Sequence, residues 1–305
     1  MPQLNIIYRS ESHAAFWVLA GQAGIWEKNG LRVNTSPQLN RERAVDALKN
    51  GNVDLISGNH HNLYARRARN EDFVHLGQLG NLWTENHLIV KDGIRSVQDL
   101  RGKRIAVDRK GSHAGLNVWL FMKQEGLDLD KGDYHLVETD ASSEKRWKGV
   151  LAGEFDAAFV DLPHNLRAVR AGGREITVRA MPMIRGVTLT TTMAFVKSHE
   201  DEIRSLIRGT VEAVHFFLTQ KEKTKTILRQ SPTLGLNDQE VNALYDQWAG
   251  FLERKLYPTP EAIVNVFALA VRLKPEITDV NPLIMWNTHY LRELDDSGFI
   301  DSLYR

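Results

Sequence analysis

Over roughly the first 200 residues, short apolar segments of strand character alternate with segments of helical character. Residues 4–8 and 53–57 are apolar runs typical of buried strands, and residues 41–49 between them carry apolar side chains at helical spacing. Such alternation favours a parallel sheet with helices on its faces, because a parallel connection needs a crossover. About 100 further residues, from about residue 198 onward, predict helices without a convincing strand. The sequence therefore predicts an α/β protein with open sheets flanked by helices and a helical C-terminal region.

One strand-to-helix junction stands out, at residues 104–119. An apolar strand at 104–107 runs into Gly111 and Ser112, and apolar side chains then recur at helical spacing. Ser112 is the predicted N-cap, and the backbone N–H groups of the first helical turn, together with Ser112 and His113, can face one small polar or anionic ligand. The alternative is that Ser112 only caps the helix and that His113 is solvated.

Composition excludes several classes of function. Lys and Arg number 39 against 38 Asp and Glu, so the chain has almost no net charge to attract nucleic acid, and no nucleic-acid partner is expected. The chain has no Cys, which excludes disulfides, thiolate catalysis and Cys-ligated metal sites. No apolar run approaches the roughly 20 residues that span a bilayer, so we expect a protein that is not membrane-embedded.

The N-terminal residues bear on the expected location. Residues 1–8 enter the first predicted strand without the basic and apolar segments typical of a secretory signal peptide. As written, the sequence predicts a cytoplasmic protein. If it is instead the trimmed, mature form of a longer protein, the same residues are compatible with a periplasmic location.

Four stretches resemble a known family. They are residues 24–33 (GIWEKNGLRV), 44–55 (AVDALKNGNVDL), 97–107 (VQDLRGKRIAV) and 151–158 (LAGEFDAA). In this order and spacing they resemble the sulfonate-, taurine- and nitrate-binding solute-binding proteins of ABC transporters, which have the type II periplasmic-binding-protein fold. The related thiamine-pyrimidine-precursor-synthase-like proteins share this resemblance, which covers roughly the first 200 residues of the chain.

The resemblance implies two lobes joined by two crossover strands, with a ligand cleft between them and hinge closure around the ligand. For this sequence, the expected division is residues 1–88 with 194–305 as one lobe and 89–193 as the other, with hinges near 87–91 and 190–195. Residues that follow strands are expected to line the cleft, because ligands of open α/β sheets bind at the carboxyl ends of strands. His60 and His113 are then expected to face one ligand from the two lobes.

Histidines are concentrated at these strand ends and crossovers. Six of the 11 His of the chain lie there, which is more than random scatter over surface loops would favour. A neutral imidazole can donate or accept a hydrogen bond, bind a transition metal or transfer a proton near neutral pH. With their polar neighbours they form the expected ligand-binding set: Ser12, His13, Asn59, His60, His61, His87, Ser112, His113, Asp161 and His164.

Three roles stay open for these histidines. As ordinary lining groups they contact ligand, water or backbone, and no cofactor is required. A divalent metal site is the second alternative, although there is no local pair of the His-x-x-x-His kind. Asp161, Glu85 and Glu11 are the carboxylates closest in sequence that could orient a histidine or complete a metal shell. Proton transfer in a reaction is the third alternative.

The resemblance supports two functions from different classes. The first is the binding of a polar or anionic organic solute in a His-lined cleft, with an ABC permease as partner only if the protein is exported. The second is a cytoplasmic enzyme on the same fold, either a decarboxylase or lyase or a protein like the thiamine-pyrimidine precursor synthases, with histidines as acid, base or metal ligands. The Cys-rich motif of those synthases and the Cys nucleophile of the related desulfinases are absent.

Other charged and aromatic residues have simpler interpretations. Arg66, Arg67 and Arg69 indicate a solvated helix face rather than an anion site. Trp17 and Trp83 indicate packing residues, although an aromatic wall for a ring-shaped ligand is the alternative.

Overall fold

The computed structural model describes residues 1–9, 13–38, 40–58, 60–84, 87–139 and 142–305. These residues form two compact units, the first made of Met1–Asn81 with Met183–Arg305 and the second of Leu82–Pro182. The boundaries therefore lie at 81/82 and 182/183, earlier in the chain than the predicted divisions at 88/89 and 193/194. Closure about hinges at 87–91 and 190–195 stays a prediction.

Each unit contains a five-stranded sheet. The strands are β1 (Gln3–Tyr8), β2 (Arg32–Pro37), β3 (Leu55–Ser57), β4 (Phe73–Trp83), β5 (His87–Val90), β6 (Arg104–Val107), β7 (His135–Glu138), β8 (Ala157–Val160), β9 (Arg174–Thr177) and β10 (Met181–Thr192). The strand order is β2-β1-β3-β10-β4 in the first unit and β7-β6-β8-β5-β9 in the second. Strands β4 and β10 contain the two unit boundaries, so they carry the chain from one unit to the other.

Helices follow most strands, as the sequence predicts. They are α1 (Ala14–Gln22), α2 (Ile25–Lys28), α3 (Arg41–Lys49), α4 (Tyr64–Arg67), α5 (His113–Gln124), α6 (Ser143–Leu151), α7 (His164–Arg170), α8 (Met193–Ser198), α9 (Glu200–Thr219), α10 (Lys221–Gln230), α11 (Asp238–Ala249), α12 (Pro260–Leu273), α13 (His289–Asp296) and α14 (Phe299–Ser302). The run of helices from α8 onward confirms the predicted helical C-terminal region.

In the first unit, the ends of the parallel strands meet at one edge of the sheet. Strand β1 pairs in parallel with β2 and β3, and Tyr8 lies opposite Pro37 and Ser57. Strand β10 is antiparallel to β3, with Leu189 opposite Ser57, so residues 186–188 extend past the end of β3. We call this edge the carboxyl edge of the first unit.

The second unit has a corresponding carboxyl edge. Strand β6 pairs in parallel with β7 and β8, whereas β5 runs antiparallel to both β8 and β9. His87, the first residue of β5, therefore lies opposite Val160 at the end of β8 and Thr177 at the end of β9. Both sheets are mixed, and not purely parallel as the alternation alone favours, because β10 runs antiparallel to β3 and β5 runs antiparallel to β8 and β9.

The chain around the second predicted crossover is only partly a strand. Residues 190–192 belong to β10, but α8 begins at Met193. The reason is local, since the Thr192 side chain accepts a hydrogen bond from the backbone N–H of Phe195 at 3.1 Å and caps the helix. The crossover strand therefore ends at Thr192 and not at Phe195, while the hinge at 190–195 stays a prediction.

Three residues that the sequence analysis did not place in the site have contacts within the fold. Trp17 and Trp83 are 3% and 1% exposed, which confirms that they are packing residues. Arg66 forms ion pairs with Glu42 at 2.6 Å and with Glu71 at 3.4 Å, which leaves it engaged within the protein. No helix in the described ranges is both long enough and apolar enough to cross a membrane.

Candidate functional site

The carboxyl edge of the first unit holds His13 in a fixed position. His13 follows β1, precedes α1 and is 5% exposed. Its Nδ1 lies 3.1 Å from both the carbonyl oxygen and the hydroxyl oxygen of Ser57, the last residue of β3. These contacts hold the imidazole against the end of the neighbouring strand.

Gly58 allows this close approach. Its φ is +116°, and a Cβ at this position would lie 3.1 Å from the Cβ of Arg9 and 3.2 Å from Cε1 of His13. A side chain would therefore strain the backbone and crowd both neighbours. The backbone N–H of Gly58 donates to the carbonyl oxygen of Thr188 at 3.0 Å, which fixes the start of the loop that carries His60.

His60 is oriented by strand β10. Its Nε2 lies 3.1 Å from the carbonyl oxygen of Gly186, in the part of β10 that extends past β3. Because a carbonyl oxygen only accepts, Nε2 donates this bond and the neutral ring carries its proton there. His60 is 7% exposed, so its ring presents a defined tautomer at a largely dry position.

His61 is a neutral acceptor. Its Nε2 lies 3.4 Å from Nη1 of Arg41, and a guanidinium can only donate. Burial, the charge of Arg41 and the neighbouring His60 lower the pKa of His61 to about 3. His61 is therefore uncharged at neutral pH, and its pKa is too low for a base that acts near pH 7.

Four buried polar side chains that the sequence analysis missed support this loop from β4 and β10. His75 Nδ1 donates to the Thr190 hydroxyl at 2.9 Å, and that hydroxyl donates to the carbonyl oxygen of Gly58 at 2.7 Å. The Thr188 hydroxyl donates to Oε1 of Gln78. All four side chains are at most 1% exposed. The one signal in the sequence is the presence of polar residues among the apolar residues of β4 and β10.

At the carboxyl edge of the second unit, His87 is paired with a carboxylate that the sequence analysis also missed. His87 Nδ1 lies 2.5 Å from Oε1 of Glu175, and the side-chain amide of Asn165 donates to Oε2 of Glu175 at 3.3 Å. The hydrogen bond from His87 holds the pKa of Glu175 below its usual range. An ionised Glu175 thus sets the orientation of the His87 ring.

Asp161 and His164 follow β8 at the same edge. The carbonyl oxygen of Asp161 accepts from the backbone N–H of His164 at 2.8 Å, in the turn that leads into α7. Burial lowers the pKa of His164, and the nearby charge of Asp161 opposes this shift only in part. His164 is therefore a neutral hydrogen-bonding group at neutral pH.

Ser112 is the N-cap of α5, as predicted. Its hydroxyl oxygen accepts from the backbone N–H of Gly115 at 3.0 Å, and the hydroxyl lies 2.5 Å from Oδ1 of Asp108, to which it donates. The single proton of Ser112 is therefore used within the second unit. His113 is the first residue of α5 and lies at the same edge of the sheet.

Asn117, one turn further along α5, has an unusual environment. The side chain is 0% exposed, and neither its oxygen nor its nitrogen has a hydrogen-bond partner among the described residues. Burying an amide without partners is costly, and native proteins rarely retain such groups without a reason. The sequence offers no signal for this, because an Asn inside a helix is ordinarily exposed.

The predicted residues thus fall into two sets, one for each unit. His13, His60 and His61 lie at the carboxyl edge of the first unit, and His87, Ser112, His113, Asp161 and His164 lie at that of the second. Ser12 and Asn59 lie outside the described residues, as do the carboxylates of Glu11 and Glu85. Within the described part of the chain, no group of three His, Asp or Glu is placed to hold a metal ion.

Comparison with known proteins identifies relatives of this chain. The model of the NMT1/THI5-like family matches residues 11–224. A candidate binding protein of Brucella abortus (strain 2308) is 27% identical over 144 residues, which are 46% of this chain and 43% of the relative. The match therefore spans less than half the length of that curated relative.

Solved structures share the fold over nearly the whole chain. The periplasmic aliphatic sulphonate binding protein SsuA of Escherichia coli has a TM-score of 0.70 at 19% identity, over 93% of this chain and 92% of SsuA. The periplasmic nitrate-binding protein NrtA of Synechocystis PCC 6803 has a TM-score of 0.69 at 12% identity, over 97% of this chain and 88% of NrtA. At these identities the likeness concerns the fold alone, and it confirms the predicted periplasmic-binding-protein fold.

Proposed function

The chain belongs to the NMT1/THI5-like family, and from this premise we propose that it binds a small polar or anionic organic solute through residues at the carboxyl edges of its sheets. The observation that carries the proposal is the pair of buried imidazoles, His13 and His60. Both are held by hydrogen bonds beside the end of β3, where open α/β sheets bind their ligands. Such fixed polar groups lower the ordering cost of binding.

The chemistry of the proposed site favours hydrogen bonding over ion pairing. His61 and His164 are neutral because their pKa values are lowered, so they recognise a solute as donors or acceptors. At the second unit, the N-terminus of α5 adds backbone N–H groups that favour an anionic part of a solute. The names of SsuA and NrtA, which refer to sulphonate and nitrate, are consistent with an anionic group.

The proposed ligand-binding residues are those expected from the sequence, with Asn117 added. The set therefore still includes Ser12 and Asn59. We propose that no cofactor is needed for binding, since hydrogen bonds from protein groups account for the recognition. If the native protein is exported, the solute would pass to an ABC permease in the periplasm, and fractionation of cells expressing the native gene tests this location.

Native mass spectrometry of freshly purified protein tests the proposal. A co-purifying small molecule, lost on unfolding and rebound after refolding, is the expected result. Isothermal titration with that molecule then gives the affinity of the wild type and of variants at the carboxyl edges. If no molecule co-purifies, and nitrate, ethanesulfonate and taurine give no binding heat, solute binding of this class is contradicted.

One observation favours an enzyme as the second candidate. The contact between His87 and Glu175 resembles the pairing that orients a histidine as general base, because the carboxylate fixes the ring and its tautomer. A decarboxylase or lyase would use His87 in this way. In that case His87→Gln would bind the co-purifying molecule with little change, while turnover would fall by roughly 10²- to 10⁴-fold. A binding protein would show no turnover in any variant.

A further inference from the structure

A cavity of about 540 Å³ lies in the first unit, at the end of β3 opposite to Gly58. Its wall includes Asp54, which precedes β3, Phe73 at the start of β4 and Thr192 at the end of β10. Because β10 runs antiparallel to β3, these strand ends meet at the amino edge of the sheet. The cavity is thus distinct from the carboxyl-edge site, and its volume is within the range of small-molecule pockets, roughly 300–1,000 Å³.

Much of the cavity wall is apolar. Leu48, Val53 and Phe73 line it together with the ring of Phe195. The imidazole of His199 stacks on Phe195, with ring centroids 4.1 Å apart and an interplanar angle of 10°. The flat pair and the aliphatic side chains provide a surface that suits the hydrocarbon or aromatic body of a small molecule.

The charged groups of the wall are mainly acidic. Lys49, which is also part of the wall, lies 3.4 Å from Oε2 of Glu71, and Arg66 lies at the same distance from that oxygen. Arg66 has a shorter ion pair with Glu42, at 2.6 Å, so Glu71 is left to balance the positive charge of Lys49. This charge does not offset the two remaining carboxylates of the wall, Asp54 and Asp72.

These two carboxylates have no cationic partner within the described part of the chain. Among the described residues, neither Asp54 nor Asp72 forms an ion pair. The carboxylate of each accepts one hydrogen bond there, and the donor is a backbone N–H group. The donor is Asn5 for Oδ2 of Asp54 and Ala194 for Oδ2 of Asp72, both at 2.7 Å. The Oδ1 atom of each carboxylate thus retains its capacity to accept, and an ionised carboxylate has no donor of its own.

We propose that this cavity binds a compact organic ammonium ion, a primary amine with an aromatic or aliphatic body. The ammonium group supplies up to three donors and a positive charge to Asp54 and Asp72, which accept only. The body of the amine packs on Phe195 and Phe73. An anionic solute would be repelled by the same two carboxylates, so the ligand differs in charge from that of the carboxyl-edge site. This site does not depend on the proposed function.

Isothermal titration with phenethylammonium chloride at low ionic strength tests the proposal. The matched neutral probe is 2-phenylethanol, and the anionic probe is 3-phenylpropionate. We expect the ammonium ion to bind with a dissociation constant on the order of 1 mM, given its few non-hydrogen atoms. The alcohol should bind at least about 5-fold more weakly, the anion should not bind, and added salt should weaken the ammonium complex.

Variants locate the binding. Asp72→Asn should weaken phenethylammonium binding by roughly 5- to 30-fold. This range lies between the effect of losing an exposed ion pair and the effect of losing a charge-assisted hydrogen bond. The Asn oxygen can still accept from Ala194, so the fold should be retained. Asp279→Asn makes the same charge change at an exposed position outside the cavity wall and should leave the affinity unchanged.

The proposal is overturned by any of four results. The first is no binding heat for the ammonium ion, and the second is equal affinity for ammonium ion and alcohol. The third is equal affinity of Asp72→Asn and Asp279→Asn. If the amine binds but His60→Ala alone weakens it, the amine occupies the carboxyl edge and the cavity is not its site.

Discussion

His75 donates a hydrogen bond from Nδ1 to the hydroxyl oxygen of Thr190 at 2.9 Å, inside the first unit. The Thr190 hydroxyl has one proton, and it uses that proton to donate to the carbonyl oxygen of Gly58 at 2.7 Å. The direction of both bonds is therefore fixed, and neutral His75 carries its proton on Nδ1. Since His75 lies on β4 and Thr190 on β10, the strands that run between the units support the loop that carries His60.

We expect the protein to lose stability in mild acid because of two buried histidines. In the folded protein, burial lowers the pKa values of His75 and His61 from 6.5 to about 3, with Arg41 contributing for His61. Between these values the unfolded chain binds more protons than the folded protein. Stability is therefore complete above about pH 6.5 and falls as the pH falls toward 3, with a slope of roughly 1.4 kcal/mol per pH unit for each histidine.

Urea unfolding from about pH 7 down to about pH 5 measures this slope. His75→Asn keeps a donor near the position of Nδ1 and removes the titrating ring. The dependence of its unfolding free energy on pH should therefore be smaller by the contribution of one histidine. His135→Asn changes an exposed residue of β7 and should retain the slope of the wild type. Identical slopes for the wild type and His75→Asn would contradict a lowered pKa for His75.

Much of the fold could be predicted because its signals are local. Helix α3 covers residues 41–49 as predicted, since Asn40 accepts from the backbone N–H of Arg43 at 3.0 Å and caps its start. Ser112 caps α5 for the same reason. The end of β10 was less predictable, because residues 190–195 are compatible with a strand and only the cap formed by Thr192 starts a helix at Met193.

The candidate site was predictable only in part, because some of its contacts join residues that are far apart in the sequence. That histidines follow strand ends can be deduced from the order of segments along the chain, and His13 and His60 do lie at such ends. Their partners depend on which strands become neighbours. Glu175 is 88 residues from His87, and Thr190 is 115 residues from His75, so no local pattern connects them.

We expect His60→Ala to weaken solute binding by roughly 5- to 150-fold, the value of one hydrogen bond to a buried polar group. The ring of His60 is oriented by Gly186, so its loss removes a group that needs no further ordering on binding. Isothermal titration with the solute found by native mass spectrometry measures the effect. His135→Ala is the control, and an equal affinity of the two variants would remove His60 from the site.

We expect Gly115→Ala to destabilise the protein by roughly 1–3 kcal/mol, a cost typical of overpacking. A Cβ on Gly115 would lie 2.2 Å from the carbonyl oxygen of Arg109, a backbone atom of the turn that precedes α5. Gly21→Ala in α1 is the matched change, because no atom of the described ranges lies within 4 Å of a Cβ added at this position, and it should stabilise by up to about 1 kcal/mol. Thermal unfolding of both variants should show opposite shifts, and a shift of the same sign in both would contradict the steric argument.

We expect Asn117→Leu to raise the stability of the ligand-free protein and to weaken solute binding. Asn117 is 0% exposed, and its amide has no hydrogen-bond partner among the described residues. Leu has a similar volume and no polar atoms, so the substitution removes a desolvation cost of roughly 1–3 kcal/mol. Contact with a ligand is one reason for which a protein retains such a cost, since sites of function are often built at the expense of stability.

Asn81→Leu is the matched control, because Asn81 is also buried, at 2% exposure, but both its amide nitrogen and its amide oxygen have a hydrogen-bond partner. It donates to the carbonyl oxygen of Tyr257 at 2.8 Å and accepts from the backbone N–H of Thr259 at 3.0 Å. The same substitution there leaves two backbone groups without partners and should destabilise by roughly 2–3 kcal/mol. Urea unfolding and isothermal titration of both variants separate the outcomes. If Asn117→Leu also destabilises, its amide has a structural partner, and if it stabilises with unchanged affinity, Asn117 does not contact the solute.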